Sequence, residues 1–131
     1  MKRIKNTLAI AAAILGIVLM LAGCRKWPEN GDLDGMWQIM EIEYFDGTKS
    51  GVQKNYYNFE RSICQTSGKR YCTANMKYSG NTINLDFPDF VPGQLKEYGI
   101  GENPVTLHIE RLTSKILVFR SDIATVRCRK F

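Results

Sequence analysis

The first residues that could do chemistry are oxygen-bearing side chains spaced like the loop of an EF-hand. The stretch Asn30-x-Asp32-x-Asp34-Gly35-x5-Glu41 places side-chain oxygens at positions 1, 3, 5 and 12 of such a loop, with glycine at position 6. An EF-hand loop lies between two helices, whereas this stretch runs into a segment with the pattern of a strand. We therefore expect no metal site here, and we expect Gly35 to have a role in the fold instead.

Cysteine is the second reactive residue type. Besides Cys24, the chain has Cys64, Cys72 and Cys128. Three thiols allow at most one intramolecular disulfide. Cys64 and Cys72 flank a predicted turn and could face each other across a hairpin. Cys72 and Cys128 lie on apolar faces and could meet inside instead, or all three could be free. No CxxC pair or second histidine supports a metal site.

Acid–base or nucleophilic catalysis would have to use His108, the one histidine of the chain. It is out of phase with Leu107 and Ile109, so its side chain is expected to face away from theirs. No Gly-x-Ser-x-Gly motif and no glycine-rich phosphate loop occurs, and the pair Glu41 and Glu43 is typical of a solvated strand face. The sequence thus predicts no enzyme and no cofactor.

The N-terminal residues predict export. Basic residues at 2, 3 and 5 precede the apolar stretch 8–20, which as a helix would rise only about 20 Å and not cross the roughly 30 Å hydrocarbon core. This pattern is typical of a signal peptide, here 1–23, with a retained membrane anchor as the alternative. Leu21-Ala22-Gly23-Cys24 resembles a bacterial lipobox, which implies acylation of Cys24 and attachment to a membrane of the cell envelope. Arg25 gives no retention signal, so the outer membrane is expected.

Removing residues 1–23 changes what the charge implies. The whole chain carries a net charge of +5, but the remaining 108 residues carry only +2. The argument for a polyanion therefore weakens, and we expect no nucleic-acid partner. Alanine becomes rare in this part, whereas β-branched and aromatic residues are frequent, which favours strands over helices. Residues 24–32 form the predicted tether and 33–131 the predicted domain.

Short alternating segments predict an antiparallel meander. We expect seven strands, at 36–45, 56–64, 71–78, 82–87, around 105–109, at 115–120 and at 123–131, joined by short turns and one long loop. A change of parity between Ile39 and Ile42 predicts a bulge. An open sheet would leave long unpaired edges, so closure is expected. The predicted fold class is all-β, a small up-and-down barrel of seven to eight strands.

The Gly-x-Trp signature, within Leu33-Asp34-Gly35-Met36-Trp37, begins the first strand. With the meander, the long loop and the basic C-terminus, the chain resembles small lipocalin-like lipoproteins of anaerobic gut bacteria over about 33–131. The resemblance implies a barrel that binds a small apolar ligand. It also implies that Trp37 plugs one end and that a C-terminal cation covers it, the candidates being Arg127, Arg129 and Lys130. The alternative is that Trp37 is an ordinary core residue and the arginines are solvated. Gly35 would let another backbone pass close to the strand.

Side chains on the apolar strand faces are the candidate ligand contacts. They are Tyr57, Phe59, Arg61, Met76, Tyr78 and Leu107. Arg61 is the one polar member of its face. It could point inward and bind a carboxylate, or lie at the rim with its guanidinium in water.

The long loop bears apolar residues that must cover something, either the core or a partner. Two functions are therefore predicted. The first is a lipid-anchored barrel that binds a small hydrophobic or amphipathic ligand. The second is an envelope interaction module with a filled core, acting through a patch of Phe90, Val91 and Tyr98. No particular protein partner is indicated.

Overall fold

Alternating apolar and polar side chains make the chain a succession of antiparallel strands. The computed structural model describes residues 29–131, so the predicted signal peptide and Cys24 lie outside the described residues. In the part that is described, no helix is long and apolar enough to span a bilayer. The strands are β1 (Gly35–Tyr44), β2 (Lys49–Ser50), β3 (Tyr56–Glu60), β4 (Ile63–Ser67), β5 (Thr73–Ser79), β6 (Thr82–Asp86), β7 (Val105–Leu112), β8 (Ile116–Arg120) and β9 (Ala124–Lys130).

The sheet closes because β1 has partners on both sides. Its beginning pairs with β3 and its end with the two-residue β2, while β9 pairs along the other side from Trp37 to Tyr44. The strand order is β2-β1-β3-β4-β5-β6-β7-β8-β9, with the additional pair β1–β9. Closure leaves no long free edge, and the predicted all-β up-and-down barrel is confirmed.

The predicted bulge in the first strand is also present. The register between β1 and β9 shifts between Ile39 and Glu41. An extra residue at this point turns both Ile39 and Ile42 inward, and each is buried.

The prediction of one strand over 56–64 was wrong. The chain turns at Arg61 and Ser62, so β3 and β4 form a hairpin in which Glu60 pairs with Ile63. Arg61 adopts a positive φ of 53°, which suits a tight turn but is uncommon for a residue other than glycine. The turn reverses which residues of the following strand, β4, face the core. Ile63 is exposed, whereas Cys64 is buried. Two strands stand where one was predicted, so the barrel has eight strands besides the two-residue β2, the upper value of the predicted seven to eight.

Both ends of the described chain lie at the same end of the barrel. A 3-10 helix, Gly31–Leu33, begins the fold within the predicted tether and buries Leu33. The Asn30 side chain donates to the Arg61 carbonyl (2.9 Å), which ties it to the β3–β4 turn. At the C-terminus, the Phe131 N–H donates to the Met36 carbonyl (2.9 Å) at the start of β1. We call this the closed end.

Gly68, between β4 and β5, offers a test of the fold. It has a φ of +98°, and a Cβ there would lie 2.1 Å from the Lys54 carbonyl oxygen. Gly68→Ala should therefore cost more than the roughly 1–3 kcal/mol of backbone strain alone. Gly47→Ala is the matched control, since Gly47 has a φ of +94° but no atom within 4 Å of its Cβ position. Urea unfolding should show a clearly lower midpoint for the Gly68 variant, and equal midpoints would contradict the packing.

Candidate functional site

Trp37 plugs the closed end of the barrel. Its side chain is fully buried, and its indole N–H donates to the Leu33 carbonyl (2.8 Å). The Lys130 ammonium lies 4.3 Å from the centre of the Trp37 ring, within the range of a cation–π contact. It also donates to the carbonyl oxygens of Asp32 (3.0 Å) and Asp34. Burial lowers the pKa of the Lys130 ammonium, and the two nearby carboxylates oppose that shift.

The cation that covers the Trp37 ring is therefore Lys130, and the alternative candidates Arg127 and Arg129 were wrong. Alternation along β9 explains the choice, since Val126 and Cys128 face the core and the two arginines between and beyond them are exposed. Arg127 instead lies on the outer surface, near the carboxylates of Glu41 (3.8 Å) and Glu43 (3.9 Å).

Gly35 makes room for the lysine that covers Trp37. The three atoms nearest to a Cβ built at Gly35 all belong to the Lys130 side chain. A Cβ at Gly35 would lie 3.0 Å from the Lys130 ammonium nitrogen, so the missing side chain admits a lysine head group. Gly35 also has a φ of +122°, which favours glycine.

Most of the candidate ligand contacts lie in a packed interior. Tyr57, Phe59 and Leu107 are fully buried and Met76 nearly so, while Tyr78 is partly buried. The Tyr57 ring is stacked on Phe59 (centroids 5.8 Å apart) and meets Phe119 edge to face (5.5 Å). These side chains therefore fill the space in which a ligand was expected, and they contact one another.

Arg61 does not belong to that interior. It lies in the β3–β4 turn, and its side chain is exposed. The predicted inward face depended on a continuous strand through this position, and the turn removes that continuity. The alternative, an arginine at the rim with its charge in water, describes its position.

The opposite end of the barrel is covered by residues 87–104, which we call the cap. Leu95, Tyr98 and Ile100 point into the barrel and are fully buried, and the 3-10 helix Lys96–Tyr98 lies among them. The predicted patch of Phe90, Val91 and Tyr98 is consequently not formed, because Tyr98 faces the core. Val91 is 56% exposed and Phe90 is partly buried.

Hydroxyl groups of the barrel hold the cap in place. The carbonyl oxygens of residues 96, 98 and 99 accept hydrogen bonds from Tyr44 (2.7 Å), Tyr57 and Ser121 respectively. Burial raises the pKa of the Tyr57 phenol well above its ordinary value, which keeps it protonated as a donor. The Lys69–Glu97 ion pair also joins cap and barrel (2.6 Å), but both side chains are exposed and such pairs contribute little.

Tyr98 joins the cap to the β4–β5 connection as well. Its hydroxyl donates to the Ser67 carbonyl (2.6 Å) and accepts from the Arg70 N–H (3.0 Å). Its ring meets Tyr57 edge to face, with centroids 5.8 Å apart. The role of Tyr98 was missed because an aromatic residue in an irregular loop has no periodicity to show its direction. The only signal was that six apolar residues in a loop need a surface to cover.

A groove runs along the outer wall beside the cap, and we call it the Tyr71 groove. It consists of two depressions of about 240 and 300 Å³ that share Tyr71, Cys72 and Thr73. The first extends toward Asn58 and Gln65 on β3 and β4, and the second toward the cap. Tyr71 is 81% exposed.

The cysteines are free in the described structure. Cys64 lies opposite Ala74, not Cys72, because β4 continues to Ser67 and the β4–β5 connection is therefore later than predicted, which places Cys72 beside Thr66. Cys64 and Cys128 are buried, which raises the pKa of both thiols, while Cys72 is partly exposed.

Thiol labelling should separate these positions. In the full chain carrying Cys24→Ser, we expect a maleimide to react quickly with Cys72 alone, and with Cys64 and Cys128 only after denaturation. Mass spectrometry under non-reducing conditions counts the adducts. A mass lower by two hydrogens, with a single reactive thiol after denaturation, would show a disulfide and contradict the structure.

The residues of the calcium-like motif have other partners. The Asp34 carboxylate accepts from the Asn30 backbone N–H (3.1 Å) and side-chain amide (2.7 Å), and Glu41 lies near Arg127. Among residues 29–131, no group of three or more His, Cys, Asp or Glu side chains could hold a metal ion. His108 is exposed on β7, between Thr82 and Arg120 on the neighbouring strands.

Comparison with protein families gives a match over most of the chain. The model of the lipocalin-like domain family matches residues 19–131. No curated protein matches the chain significantly.

Two solved structures resemble the chain. A lipocalin-like protein from Bacteroides uniformis is 26% identical, with a TM-score of 0.64, over 77% of this chain and 100% of that one. An uncharacterized protein from Bacteroides eggerthii is 18% identical, with a TM-score of 0.58, over 76% of this chain and 99% of that one. The second likeness concerns the fold alone.

Proposed function

The chain belongs to the lipocalin-like domain family, and from this premise we propose that it binds a small hydrophobic or amphipathic ligand inside the barrel. The ligand would enter by displacing the cap. The observation that carries this proposal is the difference between the two ends. The closed end is plugged by Trp37 from β1, whereas the other end is covered by a loop.

The cap occupies the volume that a ligand would need. Three apolar or aromatic side chains of the cap are buried in the mouth of the barrel, namely Leu95, Tyr98 and Ile100. The Tyr98 ring lies directly against the Tyr57 ring. If they swing out, they leave an apolar space lined by aromatic side chains with a few polar groups. The Tyr57 and Ser121 hydroxyls, released from the cap carbonyls, could then donate to a ligand head group. Such a combination is typical of small-molecule sites.

Binding of a fluorescent fatty-acid analogue tests this proposal. Tyr57→Phe removes the hydroxyl that holds the Tyr98 carbonyl and keeps the ring, so the cap should open more readily and the probe should bind faster. Tyr56→Phe is the matched control, since Tyr56 is the preceding residue of β3 and is only partly buried. We expect stopped-flow fluorescence to show faster association for the first variant only. If wild type and both variants all fail to bind the probe, and native mass spectrometry finds no co-purified lipid, interior ligand binding is wrong.

We also propose that the protein is a lipoprotein of the cell envelope, anchored to the outer membrane through an acylated Cys24. The support is the sequence of residues 1–24, with its basic start, apolar stretch and lipobox-like end. Metabolic labelling with an alkyne palmitate followed by membrane fractionation tests the proposal. The wild type should be labelled and sediment with outer membranes, whereas Cys24→Ala should lose the label. An unlabelled wild type would contradict it.

We further propose that the protein acts by binding and not by catalysis. The sole histidine, His108, is exposed, and the residues opposite it on the neighbouring strands are Thr82 and Arg120, neither of which supplies a carboxylate to orient the imidazole. The buried Cys64 and Cys128 thiols have raised pKa values, which disfavours the thiolate needed for attack. Ligand recovered chemically unchanged after prolonged incubation would agree with this proposal, and conversion of the ligand would overturn it.

A further inference from the structure

We propose that the Tyr71 groove binds a neutral saccharide on the outer wall of the barrel. This site is separate from the interior, and its occupant would be a sugar chain that carries hydroxyl groups but no net charge. The inference does not depend on the interior ligand or on the anchor.

A row of uncharged polar side chains forms the floor of the groove. Asn58 on β3 pairs with Gln65 on β4, which pairs with Thr73 on β5. All three point outward, because the residues beside them in their strands are buried, and neighbouring strands lie about 4.8 Å apart. The row therefore spans about 10 Å across three strands. Asn75, two residues further along β5, is also exposed and lines the second depression.

Tyr71 adds an aromatic surface where the two depressions meet. It precedes β5, is 81% exposed and lines both depressions. An aromatic ring left this exposed carries a large apolar surface in water, and a tyrosine at a binding surface combines that apolar face with a polar hydroxyl. The apolar C–H face of a pyranose ring is a suitable partner for such a ring.

The charges around the groove select the class of ligand. None of the eight residues that line the first depression is charged, and the second adds one carboxylate, Asp89. An anionic ligand would find no cation in this lining, and an apolar ligand would leave the amides unpaired. Each Asn or Gln amide offers two N–H donors and a carbonyl acceptor, which match the hydroxyl groups of a sugar, themselves donors and acceptors. On the wall formed by β1 and β9, by contrast, Glu41, Glu43 and Arg127 lie close together.

Nuclear magnetic resonance titration tests the proposal. The probes are maltotriose, cellotriose, mannotriose and xylotriose, each added at millimolar concentrations to isotope-labelled protein carrying Cys24→Ser. With at least one of them, we expect saturable shifts of the Asn58 and Gln65 side-chain amide signals. Tyr71→Ala and Gln65→Ala should each weaken that binding by about tenfold or more, equivalent to about 1.4 kcal/mol.

Phe45→Ala is the matched control. Phe45 is another exposed aromatic residue, 54% exposed, and it does not line the groove. Its variant should bind like the wild type, and all three variants should keep the wild-type thermal midpoint closely, because they change exposed side chains. The proposal is overturned if none of the four trisaccharides gives saturable shifts, or if binding is unaffected by both groove substitutions. The fatty-acid experiment reports on the interior, whereas the Asn58 and Gln65 signals report on the first depression, which no cap residue lines, so the two outcomes can be distinguished.

Discussion

Replacing Trp37 with alanine is expected to lower the free energy of unfolding by about 3–5 kcal/mol, the usual range for a buried Trp or Phe reduced to alanine. The side chain is fully buried, its indole N–H is bonded to Leu33, and its ring supports the Lys130 ammonium. The substitution would therefore open a cavity at the closed end, leave the Leu33 carbonyl without its donor and remove the ring beneath the Lys130 ammonium, which keeps its hydrogen bonds to the Asp32 and Asp34 carbonyls. For a domain of this size, the thermal midpoint should fall by about 15 °C or more.

Two further variants separate the parts of this effect. Trp37→Phe keeps an aromatic ring under Lys130 but loses the hydrogen bond to Leu33, so its loss should be smaller than that of the alanine variant. Lys130→Met keeps an unbranched stem over the ring but removes the cation and its hydrogen bonds to the Asp32 and Asp34 carbonyls, so the loss should exceed the about 0.5–2 kcal/mol of a cation–π contact alone. Urea unfolding monitored by circular dichroism measures all three. A Trp37→Ala protein with wild-type stability would refute the plug.

Replacing Tyr98 with alanine is the second substitution for which a large effect is expected. The fully buried ring packs against Tyr57, and its hydroxyl bonds to Ser67 and Arg70. Removing it should cost about 3–5 kcal/mol, comparable to other buried aromatic truncations, and should leave an apolar space in the mouth of the barrel. A fatty-acid probe that enters this space would raise the free energy of unfolding of the variant again, by about 2.7 kcal/mol at a concentration one hundred times its Kd.

Thermal unfolding with and without the probe measures both effects. Val91→Ala is the control within the cap, because Val91 is 56% exposed and its truncation should change stability by no more than about 0.5 kcal/mol. If Tyr98→Ala unfolds at the wild-type temperature, the cap does not contribute to the core. If the probe does not raise the midpoint of Tyr98→Ala, the mouth of the barrel does not accept an apolar ligand.

The fold could be predicted because its main signals are local. Alternation of apolar residues gives the strands, and the need to remove sheet edges gives closure. The same rule failed between Tyr56 and Cys64. Here the chain turns at Arg61 and Ser62, and this two-residue turn contains no glycine, proline or asparagine. The residue types therefore do not indicate the positive φ of Arg61. The missed turn shifts the parity of the residues that follow it, and it misplaced Arg61. The Cys64–Cys72 pairing failed for another reason: β4 continues to Ser67, so the next turn comes later and Cys64 pairs with Ala74.

The site could be predicted only in part, because it depends on contacts between residues distant in sequence. Trp37 as the plug followed from the family resemblance, and parity along β9 would have excluded Arg127 and Arg129 in favour of Lys130. The direction of Tyr98 could not be read in this way. It is set by hydrogen bonds to Ser67 and Arg70, about thirty residues away in the chain, and by packing on Tyr57.

The position of the chain ends decides which way the protein would face at a membrane. The described chain begins at Glu29, at the closed end, and only four residues lie between it and Cys24, so the five steps of chain reach at most about 18 Å. An acyl anchor at Cys24 would thus hold the Trp37 end next to the lipid surface. The ten residues of β1 then raise the cap by about 25 Å, allowing for the tilt of barrel strands. A molecule entering there would come from the aqueous compartment or from a carrier in it, and not from the leaflet in which the protein is anchored.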